Sequence, residues 1–395
     1  MFHTKPRYLM IIACGIFLVF GMFNAAIGPV LGELAEQTSS TLAAVGSIFT
    51  FLFLGSLVAQ LISGPLTDRF GQRPLLLASL LLVAVSLPGF TTARSLPVML
   101  TLVFFTGMGQ GGLDLEANLV VSAAYPKNTT PMLNLLHFFF GLGAFLGPAA
   151  VSLAMVATGS GMIIHWIAAG IFLVLAVIVF TLREEKPQRQ QVADPLADAP
   201  KEGERIYLSP LLWLICILIL FYVGVEYGTG SWSTRFMAVT TQMAVENGAL
   251  VTSAYWGALT IGRLGGAALS SRVSRTRLLT MAVLGSLVGS IALTMSRGAV
   301  VPSIIAIVLM GLSFGTIYPT SVAVMVTAFP ADQGKAVGLL TAMGSIGGLS
   351  LPWLGGILLE NVSPLAFTLF LNIGIVIMLV LLLTLGQLSK RENQP

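Results

Sequence analysis

Asp114, Glu116 and Asn118 interrupt a run that otherwise reads as a membrane span, Gly107-Met-Gly-Gln-Gly-Gly-Leu-Asp-Leu-Glu-Ala-Asn118. A charge near the centre of a bilayer costs at least ~2.5–3.5 kcal/mol, so such groups face a cavity or a partner. The chemistry open to them is to take up and release a proton or cation, or to hold a substrate. Asp114 and Asn118 are spaced i, i+4 and share one helix face. Glu116 lies about 200° round the helix from Asp114, so both cannot look squarely into one cavity. The plainer alternative is a carboxylate locked in a structural pair, for instance with Arg263.

Further groups stand out in or at the ends of other spans. His137 carries an imidazole, whose charge changes near physiological pH. It is either a proton shuttle and substrate donor or a satisfied structural histidine. Glu226 and Tyr227 lie in Gly224-Val-Glu-Tyr-Gly-Thr-Gly230. That glycine-rich run predicts a helix broken or flexed near mid-membrane, the usual way to build a transporter gate or site. Its structural alternative is a hydrogen-bonded kink. Trp232 is expected on an outer cavity wall or interface ring. Arg263, in Gly262-Arg-Leu-Gly-Gly266, either snorkels to the inner surface or pairs with a carboxylate across the halves. His165, beside Trp166, reads as an interfacial anchor.

The elements that must position these groups are membrane helices. The chain has 395 residues, 56% of them hydrophobic and 9% charged; soluble domains carry about 25% charged residues. Twelve apolar runs are long enough to span: 8–32, 42–66, 73–93, 96–124, 132–157, 162–182, 209–236, 247–270, 276–295, 301–327, 335–359 and 363–387. Nothing before them resembles a cleavable leader, so none is expected. The alternating pattern of a membrane barrel is absent. Of the twenty Lys and Arg, only Arg94 and Arg297 fall in loops on the side away from the N-terminus, and Arg235 and Arg263 lie in or at the ends of spans. The positive-inside rule therefore places both termini in the cytoplasm.

A polar, proline-punctuated stretch at 183–208 cannot bury enough surface to pack and reads as a cytoplasmic linker. It separates six spans in 1–182 from six in 209–395. The halves repeat at an offset of 204, which matches Gly107 with Gly311, Gly111 with Gly315, Gly143 with Gly347 and Pro148 with Pro352. The expected fold is an all-α membrane protein of twelve transmembrane helices in two pseudo-symmetric six-helix halves. Cys14 and Cys216 sit in apolar runs as reduced packing residues. The net charge of +4 is too small to point to nucleic acid. There is no H-E-x-x-H or G-x-S-x-G, so an intramembrane enzyme is disfavoured.

The loop after the second span reads Gly64-Pro-Leu-Thr-Asp68-Arg69-Phe-Gly71-Gln-Arg73. It resembles the inner-gate signature of the major facilitator superfamily, with Gln72 in place of a basic residue. Gly64, Asp68, Arg69, Gly71 and Arg73 are the gate candidates. The second copy, Ser270-Ser-Arg272-Val-Ser-Arg275, lacks the acid. The Asp114–Asn118, Leu133–Pro148 and Phe221–Trp232 stretches are similar to the fucose-permease-like branch of that superfamily, which includes fucose:proton and sodium- or proton-coupled glucose transporters. The resemblance places Asp114 at the branch's fourth-span acid, implicated in sugar binding and coupling. It implies cavity-lining first, fourth, seventh and tenth spans, making Asn24, Asn118, Tyr227, Thr316 and Tyr318, with His137, the substrate-contact candidates.

Three departures shift the expectation. Gly21-Met-Phe-Asn24 carries no first-span carboxylate, His137 stands where a sugar-binding Gln is common, and Phe140 stands where an Asn often precedes the glycine. The favoured reading is a proton-coupled symporter of a sugar or sugar-like solute, working by alternating access in a plasma membrane, the bacterial cytoplasmic membrane. Asp114, Glu226, Glu116 and His137 are the coupling candidates. No cofactor is expected beyond a transmembrane proton or sodium gradient. The expected partners are a small-molecule substrate and the bilayer, with the chain a monomer and no metal bound. The alternative is an exporter or flippase of amphiphilic drug-like or lipid molecules, which Phe138-Phe139-Phe140 and the missing amides favour.

Overall fold

The computed structural model describes residues 4–182, 206–270, 272–330 and 332–392. The expected linker at 183–208 falls almost wholly outside them. The described residues form two compact units, Met1–Gln190 with Ala244–Trp256, and Gln191–Met243 with Gly257–Pro395.

The first unit is built from α1 (Pro6–Ala26), α2 (Leu31–Gln37), α3 (Leu42–Val45), α4 (Ile48–Phe70), α5 (Gln72–Thr92), α6 (Leu96–Ala124), α7 (Thr129–Thr158) and α8 (Ile163–Thr181). The second contains α9 (Pro210–Thr241), α11 (Arg275–Met295), α12 (Val300–Phe314), α13 (Ile317–Ala328), α14 (Gln333–Asn361) and α15 (Pro364–Glu392). Helix α10 (Val245–Leu269) divides at Trp256, its first part packing with the first unit. There the Ser253 hydroxyl donates to the Phe145 carbonyl.

Among the described residues eleven helical rods are long and apolar enough to cross a bilayer. The eighth expected span, α10, is as long as the others, but Thr252, Ser253, Tyr255 and Arg263 hold its hydropathy below theirs. Spans one, two and ten are interrupted, the second at Gly46–Ser47 between α3 and α4. After α1 the backbone tightens into a 3-10 turn at Gly28–Val30, where Pro29 contributes no N–H. In span ten, Gly315 and Thr316 separate α12 from α13.

The expected break in the seventh span does not exist: α9 is one helix of 32 residues. Its glycines serve contact instead, since a Cβ at Gly224 would collide with the Leu351 side chain of α14. Close backbone approach recurs in both units. A Cβ at Gly143 would meet the Leu18 carbonyl between α7 and α1, and one at Gly347 would meet the Leu220 carbonyl between α14 and α9. Helices in lipid gain little from hydrophobic burial, so small residues at their contacts supply van der Waals packing.

Candidate functional site

In the first unit the candidate groups are carried by α6. Gly107 and Gly111 press against the Leu52 and Ser56 carbonyls of α4, which fixes how α6 is rotated. The polar stripe Gln110, Asp114, Asn118 then runs along a face about 40° away. Asn118 Nδ2 donates to Asp114 Oδ1 at 3.2 Å and to the Asp114 backbone oxygen at 2.6 Å. Among the described residues no Lys, Arg or His lies within ion-pair distance of Asp114. Gln110 was not expected. It sits one turn before Asp114, and its Oε1 accepts from Asn24 Nδ2 of α1 at 2.8 Å, both side chains being buried. The same i, i+4 rule that paired Asp114 with Asn118 would have found it.

Glu116 points away from that stripe, as the helical geometry requires. It is fully buried against α4, where the Thr67 hydroxyl donates to its Oε1. His137 is exposed on α7, its ring edge-on to Phe17 of α1 with centroids 5.3 Å apart. Phe17 in turn meets Phe20, and Phe20 meets Phe140, so an aromatic row lines the α1–α7 contact.

In the second unit Glu226 is buried on α9, and Arg263 Nη2 of α10 lies 3.8 Å from its Oε1. Arg263 therefore has a carboxylate within its own unit. Tyr222, one turn before Glu226, is fully buried with its ring 6.5 Å from that of Tyr318. The Tyr318 hydroxyl lies 3.4 Å from Thr341 of α14. Thr316 is buried at the span-ten break and donates to the Gly262 carbonyl at 3.1 Å, so its hydroxyl is engaged in holding α10. Tyr227 is half-buried on the adjacent face of α9.

Two aromatic expectations are corrected. Trp232 is fully buried and donates to the Pro352 carbonyl at 2.8 Å; it is neither an outer wall nor part of an interface ring. The indole N–H is paired with the carbonyl of the proline inside α14, so a buried donor is satisfied. His165 is also fully buried, edge-on to Phe90, and only its neighbour Trp166 is exposed as an interfacial anchor would be.

At the gate sequence, Gly71 adopts φ 92°, a left-handed turn that glycine tolerates, and it joins α4 to α5. Arg73 Nε donates to the Val179 carbonyl at 3.3 Å, and Nη2 donates to Phe180, capping the end of α8. A cation there also complements the helix dipole. Arg69 is exposed with its guanidinium 5.1 Å from the Phe70 ring centroid. The expectations on Gly64 and Asp68 fall outside the described side chains.

Comparison with known proteins agrees with this architecture. The human sodium-dependent glucose transporter 1 is 25% identical over 406 residues, covering 91% of this chain and 75% of that protein. A D-xylose-proton symporter structure superposes with a TM-score of 0.79 at 13% identity, covering 95% of this chain and 97% of that one. The E. coli fucose:proton symporter superposes at 0.65 and 17% identity, covering 96% and 99%. Residues 12–303 and 299–395 match the model of the Major Facilitator Superfamily, and the chain belongs to that family of multi-pass membrane transporters.

Proposed function

We propose that the chain is a cation-coupled symporter of a sugar, with the proton as the coupling ion and Asp114 as its site. The observation that carries this reading is a carboxylate in a membrane span whose only described partner is the neutral amide of Asn118. Carrying that bare charge through an occluded state is costly, and binding a proton or Na⁺ removes the cost. Occupancy of Asp114 then biases which conformation is populated, which is what coupling requires. Glu226 differs because Arg263 already offsets its charge; we assign it the second coupling role, in which protonation releases Arg263. Glu116, bonded to Thr67, positions α6 against α4. Asn24, Asn118, Tyr227 and Tyr318, with His137, are the assigned substrate contacts. Relatives named as sodium-dependent glucose transporters and fold neighbours named as sugar–proton symporters support the substrate class. We place both termini in the cytoplasm, in a plasma membrane, with Arg69 and Arg73 at the inner gate.

The test is uptake of D-glucose and D-xylose into proteoliposomes under an imposed pH or sodium gradient. Asp114→Asn is expected to abolish accumulation against a sugar gradient while sparing exchange of sugar at equal concentrations. Gradient-driven accumulation that survives both Asp114→Asn and Glu226→Gln would overturn the coupling assignment. Sugar-independent movement of amphiphilic dyes would favour export instead.

A further inference from the structure

The Asn24–Gln110 bond uses one donor and one acceptor and leaves the rest of both amides open. Asn24 Oδ1 is enclosed and has no hydrogen-bond partner among the described residues. Gln110 makes no described hydrogen bond other than the one its Oε1 accepts, so its Nε2 has two N–H groups to give. Turning both amides over leaves the same complement, an acceptor on one residue and a donor pair on the other. A hydroxyl donates one hydrogen bond and accepts two, so it matches this complement. A buried unpaired acceptor is destabilising, and the polypeptide described here does not satisfy it.

The location also fits a ligand. Asn24 lies in the last turn of α1, directly before the tightened turn at Gly28–Val30, where the Ile27 N–H reaches the Asn24 carbonyl at 3.4 Å. Irregular backbone at membrane depth is tolerated where protein buries it or where it lines a cavity. Gln110 precedes Asp114 by four residues on the same face, so a group held by the amides sits about 6 Å along the helix from the carboxylate.

We propose that Asn24 and Gln110 form a subsite for one sugar hydroxyl, the hydroxyl donating to one amide oxygen and accepting from the other amide's N–H. This rests on the sugar-symport reading and identifies Gln110 as a specificity-determining residue. The purely structural alternative is an α1–α6 tie that never meets substrate.

The experiment measures inhibition of labelled D-glucose or D-xylose uptake by the unmodified sugar and by its monodeoxy analogues, for wild type, Gln110→Met and Asn24→Leu. Wild type is expected to bind one deoxy analogue about tenfold more weakly than the parent sugar, as a site built around a hydroxyl does. Gln110→Met is expected to weaken the parent sugar by about the same factor while leaving that analogue unchanged. Gln110→Glu keeps an oxygen for Asn24 and removes the N–H donors, so it carries the same test should Gln110→Met fail to fold. Variants that weaken every analogue equally, or leave the parent sugar untouched, overturn the subsite and leave sugar transport standing. A wild type that moves neither sugar overturns the sugar reading and the subsite with it.

Discussion

Glu226 and Arg263 cannot be removed independently. A buried carboxylate left without its cation, or a cation without its carboxylate, retains its desolvation cost and loses the attraction that offset it. Breaking a fully buried pair costs ~3–5 kcal/mol. Here the Arg263 side chain is 28% exposed and the separation is 3.8 Å, so water screens part of the loss. Arg263→Met should therefore destabilise the protein by about 2–3 kcal/mol, read as a lower melting temperature in detergent. Glu226→Gln should cost less, because the charge it leaves unpaired, Arg263, is 28% exposed and can be solvated. Adding Glu226→Gln to Arg263→Met should restore most of the lost stability, since no unpaired charge remains. Strictly additive losses in the double variant would mean that the two side chains do not act as a pair. At this scale the sequence was legible where a periodicity rule applied. The i, i+4 relation exposed Asp114 and Asn118, and helical geometry placed Glu116 on the opposite face. Partners brought by other helices were not legible: Thr67 on Glu116, Asn24 on Gln110 and Glu226 on Arg263 depend on how separate helices pack.

Glycine has two uses in a membrane helix, and composition does not separate them. The Gly224–Gly230 run reads as a hinge, yet it lies in a continuous helix where Gly224 lets α14 approach. The interruptions fall at Gly28–Val30, Gly46–Ser47 and Gly315–Thr316, each at a single glycine, with Pro29 beside the first and Pro319 a few residues after the last. What decides between the uses is the neighbouring helix, which only the fold supplies. The offset-204 matches do carry through, because Gly143 and Gly347 each face a backbone carbonyl of the helix that packs against them. Backbone cannot yield as a side-chain end can, so Gly143→Ala and Gly347→Ala should each cost about 1–3 kcal/mol through overpacking. Gly170 and Gly338 supply the contrast, since nothing lies within 4 Å of a Cβ built at either. There alanine should be neutral or stabilising by up to ~1 kcal/mol, from its better helix propensity. Melting temperatures of the four variants check this, and equal effects at all four positions would remove the close-contact account.

Orientation is a property of the whole chain that no single helix determines. Each unit supplies its own test, because each has polar loop residues at both ends of its helices. In the first unit Ser95 lies between α5 and α6 and Asn128 between α6 and α7, and both are exposed. In the second, Ser274 is exposed before α11, and half-buried Ser296 follows that helix. The basic residues cluster at the Asn128 and Ser274 ends, with Lys127, Arg272, Arg275 and Arg277 beside them. Lys and Arg resist translocation, so those ends should remain in the cytoplasm together with both termini. Single substitutions Ser95→Cys, Asn128→Cys, Ser274→Cys and Ser296→Cys leave every charge in place. The native Cys14 and Cys216 are buried and should contribute little background. A membrane-impermeant maleimide applied to intact cells should label the Ser95 and Ser296 variants. The Asn128 and Ser274 variants should react only after permeabilisation. The reverse pattern in both units would invert the topology, and with it the assignment of Arg69 and Arg73 to an inner gate. Opposite patterns in the two units would exclude parallel six-helix repeats, since an axis along the membrane normal keeps equivalent ends on the same side.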